Sequence, residues 1–308
     1  MHLRRAMPAL AGMVLIISAC TGPGASASPS GAASAAATPT ENPFADVPAV
    51  VCVGEATTYL DWLNGVLQPD VQDPIAEPAG TAGDLLETVQ SNGVLRISTD
   101  SNYEPQSFRE PDGSWVGFDI DVGTEIAERL GVDAEFQHQD WDIITAGSWS
   151  GRWDISVGSM TITTDRKELF SFTQPYYYTP ADIGASTRSG LSTIDELPFT
   201  LPDDVEAVTR PTDANCIEEI GAGRPEFDLF ITSGTVIDAA TNAGQPVVRI
   251  SDPLYQENLA IAIDKAGPDH DALLFEIDQI VGEMHEDGTL TELSMKWFDE
   301  DLTQDPGG

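Results

Sequence analysis

Arg166 is the residue around which chemistry in this chain can be organised. Its guanidinium is a planar, permanently charged fork that matches a carboxylate bidentately. Just before it, Ser159 and Thr161 offer hydroxyls, and their backbone N–H groups precede a helix expected to start at Thr163, a natural seat for an anion. The competing reading of Arg166 is a surface arginine paired with Asp165 or Glu168. Tyr103 and Trp141 can stack on a small solute or face its cation, or serve as plain core. Asp100 can pair with a positive group or cap a turn. Other chemistries have less to work with. The four histidines, His2, His138, His270 and His285, are scattered without metal-ligand spacing. No serine–histidine arrangement suggests a nucleophile. Neither a metal nor a cofactor is expected, although 51 acidic residues leave a catalytic carboxylate open.

These residues need a frame, and the hydrophobic pattern supplies one. After the turn Ser91-Asn92-Gly93, Val94 to Ser98 alternates as a short strand. Pro111-Asp112-Gly113 makes a tight turn ahead of Trp115 to Phe118. Val122, Ile126 and Leu130 then repeat at helical spacing, with Gly131 placed where a helix cap wants positive φ. Residues 155–158 and 227–231 read as further strands. Leu273, Ile277, Ile280 and Met284 read as a helix, Gly288 breaks it, and Leu290, Leu293 and Trp297 carry a last short one. Alternating strands and helices predict α/β sheets rich in parallel pairs. An internal echo points to two similar lobes. Gly151-Arg152 leads through Asp154 to an apolar strand ending at Ser159, and Gly223-Arg224 leads through Asp228 to one ending at Ser233. In open α/β sheets such carboxyl ends are where ligands bind.

The first residues read as an address. Arg4 and Arg5 precede an apolar stretch, Ala6 to Ala19, too short and interrupted to span a bilayer comfortably. Its end, Leu15-Ile16-Ile17-Ser18-Ala19-Cys20, resembles the bacterial lipobox, in which the cysteine is lipidated; an ordinary secretory signal is the alternative. Residues 1–19 are thus expected to be a lipoprotein signal peptide and 20–47 a flexible tether of Gly, Ala, Ser, Thr and Pro. Such a tether reaches on the order of 25–30 Å. Export leaves Cys52 and Cys216 in an oxidising compartment, either as one disulfide or as two buried thiols.

The 308 residues are 41% hydrophobic, ordinary for a folded chain, but the formal net charge is −37. So acidic a surface repels phosphate, which argues against nucleic acid as a partner. Anionic headgroups repel it too, so membrane attachment needs a covalent anchor.

Several motifs, in order, resemble the family 3 extracellular solute-binding proteins, the amino-acid receptors of ABC importers. Gly117-Phe118-Asp119-Ile120-Asp121-Val122, running on to Ala127 and Leu130, resembles the family signature. Thr99 to Pro105 resembles its first ligand loop, Trp141-Asp142 its lining aromatic, and Gly158 to Arg166 its carboxylate-binding segment. Phe170 to Tyr177 resembles the approach to its hinge, and Asp287 to Leu290 with Lys296-Trp297-Phe298 its closing helices. The resemblance spans roughly residues 91–302 and implies an α/β, two-lobed periplasmic-binding-protein type II fold, with a hinge of two crossing strands and a shortened second lobe. It implies lobe 1 over residues 91–185, lobe 2 over 186–264, C-terminal helices returning to lobe 1 over 265–302, and a tail at 303–308. It implies ligand contacts from Asp100, Tyr103, Trp141, Gly158, Ser159, Thr161, Arg166 and Ser233, with Arg166 on the ligand's carboxylate.

Lobe 2 departs from the family pattern. Nothing between Leu191 and Cys216 resembles the family's glycine-threonine-threonine loop, and Ser233 stands where the family has an aspartate for the ligand's ammonium. Val50 to Tyr59 looks like the missing strand and loop. Residues 48–90 therefore either pack on lobe 2, as a circular permutation would place them, or form an accessory arm.

The resulting expectation is a lipid-anchored receptor on the outer face of the cell membrane. It would bind a small polar solute, an amino acid or derivative, and deliver it to an ABC transporter permease. An enzyme resembling cyclohexadienyl dehydratase, and a sensing or interaction module with a degenerate second lobe, are the alternatives.

Overall fold

The computed structural model describes residues 42–79, 81–224 and 226–306. The expected signal peptide, Cys20 and the tether up to residue 41 lie outside the described residues. In chain order the elements are β1 (Val50–Gly54), α1 (Thr58–Leu63), α2 (Leu85–Asn92), β2 (Val94–Thr99), β3 (Asn102–Tyr103), β4 (Ser107–Arg109), β5 (Trp115–Val116), α3 (Phe118–Leu130), β6 (Asp133–His138), α4 (Trp141–Thr145), β7 (Ile155–Thr161), α5 (Thr164–Leu169), β8 (Phe170–Phe172) and β9 (Tyr177–Ser186). After two short 3-10 turns follow β10 (Glu206–Arg210), α6 (Asp213–Gly221), β11 (Leu229–Ser233), α7 (Gly234–Asn242), β12 (Val247–Arg249), β13 (Tyr255–Asp264), α8 (Asp271–Glu286) and α9 (Thr289–Phe298).

Two strands carry the architecture. β9 and β13 pair antiparallel where Tyr177 faces Leu259 and Ala181 faces Tyr255. Beyond that stretch they part. β9 continues against β11 and β12, while β13 continues against β7 and β8. The sheet order β10-β1-β11-β9-β13-β7-β2-β6 is therefore two parallel-rich sheets joined by a crossing antiparallel pair. Lobe 1 is built on β6-β2-β7 and lobe 2 on β10-β1-β11.

Lobe 1 buries its core between that sheet and its helices. Val122, Ile126 and Ala127 of α3 pack with Leu95, Ile97 and Val157, and with Leu273, Ile277 and Val281 of α8. Helix α3 ends on Gly131, whose left-handed φ of 75° releases the chain, as its position implies. It begins on Gly117 at φ +133°, where a Cβ would sit 2.1 Å from the carbonyl oxygen of Gln106, so only glycine fits.

In lobe 2, β1 is a central strand. It runs parallel to β10 on one side and to β11 on the other, with Val51, Cys52 and Val53 fully buried. A parallel strand covered on both faces needs an unbroken apolar run, and Val50-Val51-Cys52-Val53 is one. Cys52 is disulfide-bonded to Cys216 of α6, Cα atoms 5.8 Å apart, across a sequence separation of 164. A link closing so long a loop stabilises by about 4–5 kcal/mol in the chain-entropy account.

The boundaries read from the sequence shift in three places. Phe44 and Val47, within the stretch expected to be tether, pack on the lobe 2 core. Residues 48–90 do not stay with one lobe. Leu60 and Leu63 pack on the lobe 2 core, but Asp70 donates its N–H to Ile162 and accepts from Asn258, and Leu85 and Val89 join the lobe 1 core. The cuts at 185 and 264 also miss the lobe limits, because β9 enters the lobe 2 sheet before residue 185 and β13 ends inside lobe 1. Crossing strands belong to both sheets, which a linear boundary cannot express.

Candidate functional site

The carboxyl ends of β7, β2 and β1 border one cleft. Lobe 1 lines it with Asp100, Tyr103, Trp141, Gly158, Ser159, Thr161 and Arg166. Lobe 2 contributes Thr57, Thr58 and Tyr59 from the β1–α1 turn, and Thr212 and Asp213 from the start of α6. Glu257 enters from the crossing strand β13.

Arg166 spans the cleft. Its Nη1 donates to the Thr161 carbonyl at 3.0 Å within lobe 1, and its Nη2 donates to the Ala56 carbonyl of lobe 2, also at 3.0 Å. Its Cζ lies 5.7 Å from the centre of the Trp141 ring, and the Trp141 indole N–H reaches the same Ala56 carbonyl at 3.3 Å. Among the described residues no ion pair joins it to Asp165 or Glu168. Burial lowers its pKa, and Glu257 and Asp61 oppose that shift. A guanidinium has five N–H bonds, so donors remain for a ligand.

Ser159 and Thr161 sit at the cleft, but their hydroxyls are engaged. Ser159 has φ +55°, rare for a residue with a Cβ, and donates its hydroxyl to Asp119 at 2.9 Å. Its N–H donates to the Tyr176 hydroxyl, which in turn donates to Asp119 at 2.7 Å. Asp119 is fully buried, and burial pushes its carboxyl up to about 6 against those hydrogen bonds. Asp119, at the start of α3, thus holds Ser159 of β7 and Tyr176 together. Thr161 donates to Glu257 Oε1 at 2.7 Å. Thr163 caps α5 as expected, and its Oγ1 accepts the Arg166 N–H at 3.2 Å.

Asp100 is nearly buried. Its Oδ1 caps the turn by accepting from the Asn102 N–H at 2.9 Å, and its side chain lines the cleft. Burial raises its pKa, offset by Asn102 and His138. Tyr103 packs against the lobe 2 core from its lobe 1 hairpin, so it bridges the lobes.

Ser233 requires correction. It is fully buried and does not line the cleft; its hydroxyl is held between Thr179 and Thr235, each 2.7 Å away. Ser233 pairs with Ala181 of the hinge strand and is the N-cap of α7.

Two acids that the sequence reading passed over are in the cleft instead. Glu257 is 2% exposed and accepts from Thr58 at 2.8 Å, Tyr59 at 2.9 Å and Thr161. Asp213 is 4% exposed and accepts from the Thr232 hydroxyl. Burial raises Glu257 and pushes Asp213 up to about 6. An acid at a helix start looks like a cap, and one acid in a strand looks like a solvent face. The only sequence signal for Glu257 is its position at the head of the apolar run Leu259 to Ile263.

Two α/β lobes joined by crossing strands around a buried polar cleft define a two-lobed solute-binding architecture. Residues 95–300 match the sequence pattern of bacterial extracellular solute-binding proteins, family 3, and the chain belongs to that family. It is similar to the L-cystine-binding protein TcyJ of Escherichia coli, 27% identical over 240 residues, which are 71% of this chain and 88% of that one. A probable amino-acid ABC transporter-binding protein of Haemophilus influenzae is 26% identical over 242 residues, 72% of this chain and 91% of that protein. Among solved structures, the ancestral amino acid-binding protein AncCDT-1, a precursor of cyclohexadienyl dehydratase, superimposes with a TM-score of 0.61 at 28% identity, covering 69% of this chain and 99% of that one. The match begins at residue 95, yet Thr57, Thr58 and Tyr59, which line the cleft, precede it.

Proposed function

We propose that this extracellular solute-binding protein is the receptor of an ABC importer. It closes its lobes on an amino acid or a related small carboxylate and presents the closed form to a permease. The observation that carries this reading is the pair of donors, Arg166 and Trp141 of lobe 1, converging on the Ala56 carbonyl of lobe 2 beside the cleft. A solute bound there touches both lobes, so it favours the closed arrangement over the open one. Arg166 would receive the solute's carboxylate with its remaining N–H bonds, and Tyr103 and Trp141 would cover it. The segment before the family region belongs to the site in this reading, because β1 positions the Thr57–Tyr59 turn. The names of the relatives, one cystine-binding and one amino-acid ABC transporter-binding, support the solute class and the importer.

The lipobox-like end at Cys20 and the low-complexity stretch after it support a lipid anchor with a tether. Among the described residues no helix is long and apolar enough to cross a membrane.

A thermal-shift screen tests the receptor reading. An amino acid should raise the melting temperature in proportion to the logarithm of its concentration, and Arg166→Ala should abolish the shift. Turnover of a prephenate-like substrate, with no such shift, would move the assignment to an enzyme.

A further inference from the structure

The acids of the cleft outnumber its cations. Asp100, Asp213 and Glu257 line it, each at most 6% exposed, and Arg166 is the one basic residue among the lining groups. Burying a carboxylate without a counter-charge is costly unless the charge is matched by a ligand or relieved by a proton. Glu257 and Arg166 offset one another, and three hydroxyls donate to Glu257, from Thr58, Tyr59 and Thr161. Asp100 is answered in part by Asn102 and by His138, whose Nδ1 lies 3.8 Å away. Asp213 has the Thr232 hydroxyl and no basic partner among the lining residues. The Thr161 hydroxyl, which an incoming anion would need, is already spent on Glu257. An added carboxylate therefore meets one guanidinium and three acids, whereas an added cation meets three acids and one guanidinium.

Resting on the receptor reading above, we propose that the cleft selects small solutes of net positive charge, basic amino acids, and that Glu257 and Asp213 are the residues that set this selectivity. A zwitterion brings one charge of each sign and leaves the excess acid unmatched. A second cationic group on the solute matches it. An acidic amino acid deepens the imbalance and is excluded. This assigns the solute's positive groups to β13 and the start of α6, and leaves position 233, neutral and walled off, without a part. The acidic surface of the whole chain, at net −37, concentrates the same solutes near the mouth.

Isothermal titration of the full chain, unfolded and refolded to strip retained solute, tests this with arginine, lysine, agmatine, glutamine and glutamate. Arginine or lysine should bind at least about tenfold more tightly than glutamine, with no heat from glutamate. Agmatine, which lacks the carboxylate that Arg166 receives, should bind more weakly than arginine; agmatine matching arginine would overturn that role of Arg166. Glu257→Gln should narrow the gap between arginine and glutamine by about tenfold, mainly through arginine. Asp213→Asn is the second variant should the first fail to fold. Glutamine binding as tightly as arginine, or a gap unchanged in both variants, overturns the charge selectivity alone. Silence across the whole panel overturns the receptor reading as well.

Discussion

Thr58 and Glu257 are 199 residues apart in the chain, and the hydroxyl of the first donates to the carboxylate of the second at 2.8 Å. The contact joins lobe 2 to the hinge strand and depends on a segment ahead of the family region. The double substitution Thr58→Val, Tyr59→Phe removes two donors to a buried carboxylate while keeping shape. It should weaken solute binding by about tenfold or more, since each such bond is worth about 1–3 kcal/mol. Calorimetric affinity unchanged in a folded double variant would show that the segment is only scaffolding.

The link between Cys52 and Cys216 fixes β1 into lobe 2. Cys52→Ser with Cys216→Ser should lower the unfolding free energy by about 2–5 kcal/mol in guanidinium titrations. Two thiols that react in the denatured, unreduced wild-type chain would contradict the bridge.

Gly117 has no room for a side chain, because the Gln106 carbonyl lies where a Cβ would go. Gly117→Ala should destabilise by about 3 kcal/mol or more, combining overpacking with a strained φ. A denaturation midpoint within error of wild type would mean that β4 and α3 separate easily.

Asp119 gives stability a pH dependence of known sign. Its carboxyl is pushed up to about 6 in the folded state by burial, above the unfolded value of about 3.9. The folded chain thus holds that proton more tightly, so the stabilisation is complete below about pH 4 and is lost as pH rises through about 6. Thermal or urea unfolding of Asp119→Asn between pH 4 and 7 should show a shallower decline than wild type, by about 1–3 kcal/mol over the range. Parallel curves would place the titration elsewhere.

Lobe 1 is the part of the site that the sequence displays. Asp100, Trp141 and the run from Gly158 to Arg166 lie in stretches whose order is continuous with the fold, so their shared wall follows from strand ends and helix starts. The hidden part depends on tertiary register. Ser233 ends β11 whereas β7 runs two residues beyond Ser159, and Ser233 is buried against the hinge strand, with its hydroxyl on Thr179. Ser159 offers a hydroxyl on paper, and only the folded chain shows Asp119 already holding it. Glu257 and Asp213 look like ordinary surface acids until β13 and α6 bring them to one opening. The apolar run at Val50 reads as a strand, but its neighbours, β10 and β11, are more than 150 residues away in the chain.

Native mass spectrometry of the full chain purified from its own host tests the central claim, that two lobes enclose a small solute beside Arg166. The account predicts a bound mass of one small amine-bearing molecule, released on denaturation and missing from Arg166→Ala. A bare protein mass in both, with no solute able to restore the adduct, would contradict it.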